Sequence, residues 1–236
     1  MPALSGGRRP ANRQLLADYV YQELLASLMD GRLEPGSGIG IDRMAAELEV
    51  SQTPIREALA RLEATGLVRR EALKGYRVAP LFTAEELGEL MEARAVIEPP
   101  MTESACAHVT PELRAELQRA VDDLRGAPTG PTFAEYGAYW EADERFHRLI
   151  AEHAHNRFLL NAYNALGGQV QRFRFFGDLG VTDAEHAIAE HTRILEAFEA
   201  GSPLRAREAM LEHISNVRGR ALKDASSAPK SPLQQA

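Results

Sequence analysis

Hydrophobic positions before Pro80 predict three short helices followed by two strands. From Arg13 to about Asp30 the apolar residues return every three or four positions, as on one face of an amphipathic helix. The stretch DGRLEPGSG ends that pattern, and two shorter apolar stripes follow in residues 42–50 and 51–66. Branched and aromatic residues in LVRRE and YRVAPL flank ALKG and predict a strand, a turn and a strand. Three helices followed by a two-stranded ribbon predict a winged helix-turn-helix.

After Pro80 the pattern becomes helical almost throughout, without the alternation that is typical of strands. Thr83 and Glu86 form a predicted capping box at the start of this region. Breaks divide it into about six helices, at EPP (98–100), GAPTGPT (126–132), GDLGVTD (177–183) and AGSP (200–203). The predicted fold class is therefore mostly α, with an N-terminal winged helix-turn-helix plus a C-terminal all-α helical bundle.

The same patterns set the predicted domain boundaries. Residues 1–12 are expected to form a flexible tail, residues 13–80 the winged helix-turn-helix domain, and residues 81–223 the helical domain. Residues 224–236 are rich in Ser and Pro and poor in apolar residues, and they predict a second, disordered tail.

Charge is distributed unevenly along the chain, which changes the expected partners. The 236 residues carry a formal net charge of −7, which by itself argues against nucleic acid because phosphate contacts need cations. Residues 1–80 hold 11 Lys and Arg against 10 Asp and Glu, and the rest holds 16 against 24. Nearly all the excess acid lies in the helical domain, so the N-terminal domain can still present a basic face.

Cysteine usage and hydropathy predict a cytoplasmic protein that does not enter a membrane. The single cysteine, Cys106, excludes an internal disulfide framework. No apolar run approaches the roughly 20 residues that cross a bilayer. The N-terminal stretch has two arginines but no apolar core after them, so no secretory signal is expected.

Polar residues at the start of the third predicted helix indicate a DNA-reading surface. In a helix-turn-helix the first residues of the second motif helix enter the major groove. Arg56 can reach a guanine edge and Gln52 can pair with adenine, while Ser51 and Thr53 can bind phosphate or base edges. Lys74 and Gly75 at the wing tip suit close approach to the DNA backbone or minor groove. Taken singly, each of these residues also fits an ordinary helix cap or a solvated surface.

The segments LEPG, RMAAELEVSQTPIREALARLEATGLV and KGYRV resemble the DNA-binding domain of the GntR family of bacterial transcription regulators. The resemblance covers roughly residues 13–80. It implies that arginines on both motif helices and the wing glycine contact the operator, which gives Arg43, Arg56 and Gly75 in this chain. Gln52 departs from the arginine that the family commonly has there, so the base preference of the operator is not carried over.

Four polar side chains lie on predicted inward faces of the helical domain and suggest a divalent metal site. Asp143 and His147 stand four residues apart, and His191 and His213 each lie on an apolar stripe of another helix. Burying such groups without partners is costly, and a divalent cation bound by imidazoles and a carboxylate resolves that cost. Each histidine singly also fits a hydrogen-bonded core position. Glu144 and Glu190 are expected to point away from this face.

The segments DERFH, EHTRILEAFEAG and AREAMLEHI resemble the FCD effector domain of the FadR branch of GntR regulators, over roughly residues 81–223. The resemblance implies Asp143, His147, His191 and His213 as metal ligands and a small organic acid bound beside the metal. Arg94, in RAVIEP, would fix the carboxylate of that acid; a surface or interhelical ion pair with a residue such as Glu98 is the alternative. Mixed His and carboxylate ligation fits zinc best, with nickel and manganese as alternatives.

These observations favour a homodimeric transcription regulator, a repressor rather than an activator, that binds a palindromic double-stranded DNA operator. A small carboxylate effector would change its affinity for DNA. Three alternatives stay open: a metalloenzyme fused to a DNA-binding domain, a regulator with a purely structural metal, and a metal-free dimerisation domain. No HExxH, nucleophile elbow or phosphate loop supports the enzyme, so no catalytic activity is expected.

Overall fold

A computed structural model describes residues 10–173 and 181–227. Contacts between Cα atoms divide the chain into two compact units, Met1–Leu81 and Phe82–Ala236. Most of the two predicted tails, and most of the predicted break at 177–183, lie outside the described residues. The first helix begins at Pro10 and the last ends at Ser227, so both extend into segments that the sequence predicts as tails.

The N-terminal unit holds three helices and a small sheet, as the hydrophobic pattern predicts. Its helices are α1 (Pro10–Met29), α2 (Ile41–Glu47) and α3 (Gln52–Ala64). Its strands are β1 (Gly38–Ile39), β2 (Val68–Glu71) and β3 (Gly75–Val78). The sheet is antiparallel in the order β1-β3-β2, with Val68 opposite Val78 and Glu71 opposite Gly75. The short strand β1 was not predicted, because two residues are too few to show an alternating pattern.

Buried residues on one side of α3 hold it to the rest of the unit. Ile55, Leu59 and Leu62 are fully buried, and α3 packs against α1 and α2. The remaining side of α3 is left open to solvent, as a helix that reads another molecule requires.

The described part of the C-terminal unit consists of six helices joined by short connections. Its helices are α4 (Ala84–Ala107), α5 (Pro111–Gly126), α6 (Phe133–Glu152), α7 (Arg157–Phe173), α8 (Ala184–Glu199) and α9 (Pro203–Ser227). The predicted capping box begins α4, where the hydroxyl of Thr83 accepts from the backbone of Glu86. The predicted fold class, a winged helix-turn-helix plus a bundle of about six helices, is confirmed.

The predicted break at EPP is wrong, because α4 continues through Pro99 and Pro100. Each proline removes one backbone donor, which leaves the carbonyls of Ala95 and Val96 without their helical partners. The side chain of Val96 is 73% exposed, so that part of the helix lies beside solvent. Packing of α4 against α6, α7 and α9 holds the helix across the two prolines. A break between α6 and α7, at residues 153–156, was not predicted.

A large apolar core of the bundle lies between α4, α5, α6, α8 and α9 and includes Leu117, Phe146, Ile194, Phe198 and Met210. Within the described ranges, no helix combines the length and apolar character that crossing a membrane requires.

Candidate metal centre and nucleic-acid interface

The start of α3 presents the predicted DNA-reading residues to solvent. Ser51 occupies the N-cap position, Gln52 is the first helical residue, and both are exposed together with Thr53 and Arg56. The neighbouring Pro54 and Ile55 are buried, so the helix turns its polar side outward at the end that would enter a groove.

Arg43 and the wing supply further exposed cations in the same unit. Arg43 lies on α2, where its Nε is 3.1 Å from Oε1 of Glu47. Lys74 lies in the turn between β2 and β3, with its Nζ 3.7 Å from Oε2 of Glu71. Gly75 follows with a φ of 82°, a left-handed conformation that a glycine adopts without strain. The tip of the wing is thus a tight turn that carries an exposed lysine.

Three histidines from three helices meet in the interior of the bundle. His147 of α6, His191 of α8 and His213 of α9 are at most 4% exposed, and each offers a ring nitrogen within 4.8 Å of the others. The Nε2 atoms of His147 and His191 lie 3.1 Å apart. Asp143, one turn before His147, places Oδ1 3.7 Å from Nε2 of His191. All four residues that the sequence singled out as metal ligands are therefore close together.

A carboxylate on α8 fixes the tautomer of His213. Nδ1 of His213 lies 2.8 Å from Oε2 of Glu190, and a carboxylate at this separation accepts, so Nδ1 carries the hydrogen. Burial lowers the pKa of His213, which favours the neutral ring. Nε2 then holds a lone pair, and it is buried without a hydrogen-bond partner in residues 10–173 and 181–227. This nitrogen is ready to bind a cation.

The predicted orientation of Glu190 is wrong, because its side chain is buried beside the histidines. Arg220 donates to both carboxylate oxygens of Glu190 at 2.8 and 3.0 Å, and Asn216 donates to Oε1 at 3.0 Å. Burial alone would raise the pKa of Glu190, but the hydrogen bonds from His213 and Arg220 lower it to about 2. Glu190 is thus a fixed anion that supports His213.

Glu98 of α4 has a similar relation to His147. Its Oε2 lies 2.8 Å from Nδ1 of His147, an ion-pair distance, although the ring is not aligned for a good hydrogen bond. Burial would raise the pKa of Glu98, but the charge of Arg94 lowers it well below its usual range. The carboxylate therefore favours a proton on Nδ1 of His147 and leaves Nε2 for the centre of the cluster.

Arg94 is paired inside α4. Its Nε lies 2.6 Å from Oε1 of Glu98, both side chains are buried, and the charge of Glu98 raises the pKa of Arg94 against the effect of burial. Both residues lie within one helix, so the pair is neither on the surface nor between helices. The guanidinium that the sequence assigned to a ligand carboxylate already has an internal carboxylate partner.

A narrow crevice runs beside His147 between α4, α6, α7 and α9. It is too narrow for a water molecule, and it is lined by Glu98, Met101, Thr102, His147, Ile150, Ala151, Tyr163 and Met210. Burial, followed by the charge of Glu98, raises the pKa of Tyr163 well above its usual range, so its hydroxyl remains a donor. A molecule that binds here has to separate the helices.

The other histidines of the bundle lie away from this cluster. Nδ1 of His108 is 2.9 Å from the carbonyl of Ser104, and Nδ1 of His153 is 2.8 Å from that of Leu149, so both rings cap helix ends. His186 is exposed on α8.

The residues fit a divalent cation on the evidence of their own geometry. Neutral imidazoles bind a metal through a lone pair while the second ring nitrogen donates to a carboxylate or carbonyl. His213 shows this arrangement with Glu190, and His147 faces Glu98 in the same sense. Without a cation, Nε2 of His213 would be buried without a hydrogen-bond partner among the described residues, which is costly.

Comparison with known proteins gives matches in both units. The model of the bacterial regulatory proteins of the gntR family matches residues 16–78, and that of the FCD domain matches residues 89–216. The Uxu operon transcriptional regulator of Escherichia coli is 27% identical over 88% of each chain. The transcriptional repressor RspR of Escherichia coli is 22% identical over 89% of this chain and 88% of its own.

Among solved structures, E. coli McbR/YncC superposes with a TM-score of 0.68 and 20% identity, over 89% of this chain and 98% of that one. This likeness concerns the fold alone.

Proposed function

From its membership of the GntR family of bacterial regulatory proteins and its FCD domain, we infer that the chain is a DNA-binding transcription regulator and not an enzyme. We propose that it is a repressor controlled by a small organic acid bound beside a divalent metal. RspR, which matches most of this chain, is itself named a repressor. The single observation that supports a bound metal is the convergence of His147, His191 and His213 in the core of the bundle.

Asp143, His147, His191 and His213 would hold the cation, and Glu98 and Glu190 would orient two of the rings. Three imidazoles and one carboxylate suit zinc best, while nickel and manganese accept the same donors. A bound divalent cation would supply a Lewis acid with open positions for carboxylate oxygens.

The crevice beside His147 is the proposed place for the rest of the acid. Apolar side chains of Met101, Ile150 and Met210 would cover its carbon atoms, and the protonated Tyr163 would donate a hydrogen bond. Entry of the acid would move α7 away from α4 and α6, because the crevice is closed in this conformation. An effector shifts a conformational equilibrium only by binding the two states unequally, and opening the crevice provides such a difference.

We infer that the regulator acts as a homodimer in the cytoplasm, where the operator lies. Two winged helix-turn-helix units related by a twofold axis match a palindromic operator with one half-site for each protomer. Arg43, Ser51, Gln52, Thr53, Arg56, Lys74 and Gly75 are the proposed contacts to each half-site.

The test is operator binding in the presence of metal and candidate acids. The purified protein would first select a DNA duplex from a random library, and this duplex would be labelled. It would then be titrated with zinc-loaded and with chelator-stripped protein, in the presence of each acid from a panel of mono-, di- and tricarboxylates. We expect one acid to weaken DNA binding about 5- to 150-fold, and only in the zinc-loaded protein. Unchanged affinity with every acid would contradict control by a small carboxylate and leave the DNA-binding function intact.

Replacing Glu190 with Ala is expected to lower the affinity for zinc about 10- to 100-fold, because the carboxylate fixes the tautomer of His213. Competition against a chromophoric chelator measures this change directly. Glu144→Ala is the matched control, since Glu144 adjoins the ligand Asp143 in sequence just as Glu190 adjoins His191, but its carboxylate pairs with Arg148 instead. Equal zinc affinity in the Glu190 variant and the wild-type protein would contradict the role of Glu190.

A further inference from the structure

A chain of hydrogen bonds crosses the turn between the two helices of the DNA-reading motif. Asp42 lies in the first turn of α2, and its carboxylate accepts a short hydrogen bond from Nε2 of Gln52, the first residue of α3. Oε1 of Gln52 in turn accepts from Nη2 of Arg56 at 3.1 Å. The three side chains are exposed, so no packing holds them in this arrangement.

The direction of the chain follows from the chemistry of its ends. An ionised carboxylate only accepts hydrogen bonds and a guanidinium only donates them. The amide of Gln52 can satisfy both neighbours in one orientation alone, with its nitrogen toward Asp42 and its oxygen toward Arg56. Gln52 therefore links the carboxylate of Asp42 to the guanidinium of Arg56, so the position of one affects the position of the other.

We propose that Asp42 and Gln52 are positioning residues for Arg56, and that they set the base preference of the operator without Asp42 touching a base. This proposal rests on the DNA-binding function. Arg56 would read a guanine, whose O6 and N7 accept two hydrogen bonds from one guanidinium. Gln52 would hold that guanidinium rather than read an adenine by itself, because its amide is oriented by one hydrogen bond to Asp42 and one from Arg56.

The energetic reason is preorganisation. A free arginine side chain loses much rotamer entropy when it is fixed against a base. A partner that holds it in advance lowers this cost and penalises bases that would require another rotamer. Asp42 carries a negative charge on the motif that approaches phosphates, and this charge by itself weakens binding to DNA of any sequence. Positioning Arg56 is a role that offsets this unfavourable effect at the operator.

Asp42 has a simpler role that the experiment must separate. An acidic residue in the first turn of a helix stabilises that helix through its dipole. Loss of that effect would lower the stability of α2 and weaken binding to all sequences alike. Only a positioning role predicts that removing Asp42 changes which base is preferred.

The test is selection from a random duplex library with the full-length wild-type protein and with the variants Asp42→Ala, Asp42→Asn, Gln52→Ala and Arg56→Ala. The preferences would then be measured by fluorescence anisotropy on the wild-type consensus duplex and on duplexes changed at single positions. Asp42→Asn removes the charge but keeps an acceptor for Gln52. Glu63→Ala is the control, since it removes one acidic side chain from the exposed far end of α3.

We expect Arg56→Ala to lose the preference at one guanine of each half-site. Asp42→Ala and Gln52→Ala should lower the discrimination at that same guanine by about fivefold or more, the range of one good base contact. Asp42→Asn and Glu63→Ala should retain it. This pattern would support the positioning chain.

Two results would overturn the proposal. In the first, Asp42→Ala keeps the wild-type preference at every position, and in the second, Gln52→Ala loses a preference for an adenine at a position that Arg56→Ala leaves unchanged. Failure of the wild-type protein to enrich any sequence would contradict operator binding itself, which distinguishes it from these two results.

Discussion

Stripping zinc from the wild-type protein should lower the midpoint of thermal unfolding of the helical domain by about 5 to 10 °C, and His191→Ala should abolish this difference. A ligand at 100 times its dissociation constant adds about 2.7 kcal/mol if it binds only the native state. For a domain of this size, each kcal/mol moves the midpoint by about 2 to 4 °C. His191 is fully buried and lies within reach of both other histidines, so its removal deletes one of the proposed ligands.

The comparison has to be made between zinc-loaded and stripped samples of each variant. Replacing a buried histidine also leaves a cavity, and that cost lowers the midpoint of both samples equally. His186→Ala is the matched control, because His186 lies on the same helix but is exposed. In the His186→Ala variant, the midpoint of thermal unfolding should differ between loaded and stripped samples as much as it does in the wild-type protein. The zinc content of this variant, measured by mass spectrometry, should be unchanged. A zinc-dependent shift that survives in His191→Ala would place the metal elsewhere.

Helical periodicity predicted that the proposed ligands would converge, because each of them lies on a single apolar stripe. His147, His191 and His213 each fall in line with core residues of one helix, and Asp143 lies one turn from His147. Their convergence needed no knowledge of the tertiary structure, because a polar group on an inward stripe must meet other polar groups or a cation.

Glu190 escaped prediction because neighbouring helical residues point about 100° apart, and a single buried stripe does not include both. Helix α8 packs against α5 on one side and α9 on another, so its buried arc is wider than one stripe. Arg220, which holds Glu190, comes from the far end of α9, and no sequence period relates the two residues. The residues that support the proposed ligands are thus determined by packing between helices.

The prolines of α4 illustrate a different limit. Local rules end a helix near a proline pair, and those rules describe an isolated helix. In the bundle, α4 packs against three other helices, and tertiary contacts outweigh the two missing hydrogen bonds. The same continuity keeps Arg94 and Glu98 one helical turn apart, which their ion pair requires.

Arg94→Met is expected to lower the free energy of unfolding by about 3 to 5 kcal/mol, because it leaves the carboxylate of Glu98 buried without its main counter-ion. Arg94 and Glu98 are only 1% and 5% exposed, so solvent cannot replace the lost partner. The double variant Arg94→Met with Glu98→Gln removes both charges and should recover most of this loss. Urea unfolding of chelator-stripped protein measures the change without a contribution from metal.

Arg148→Met is the matched control, since Arg148 forms the same i,i+4 pair with Glu144 on α6 but is 48% exposed. Such a surface pair contributes about 0 to 1 kcal/mol, so its loss should be small. A similarly small loss in Arg94→Met, or a double variant no more stable than the single one, would contradict a balanced buried pair.

The double variant also decides what Arg94 contributes to regulation. If it folds and binds zinc but no acid weakens its binding to DNA, the response to the acid depends on the Arg94–Glu98 pair. If the response to acid persists, the metal and Tyr163 suffice for the effector, and the Arg94–Glu98 pair serves to hold His147 in place.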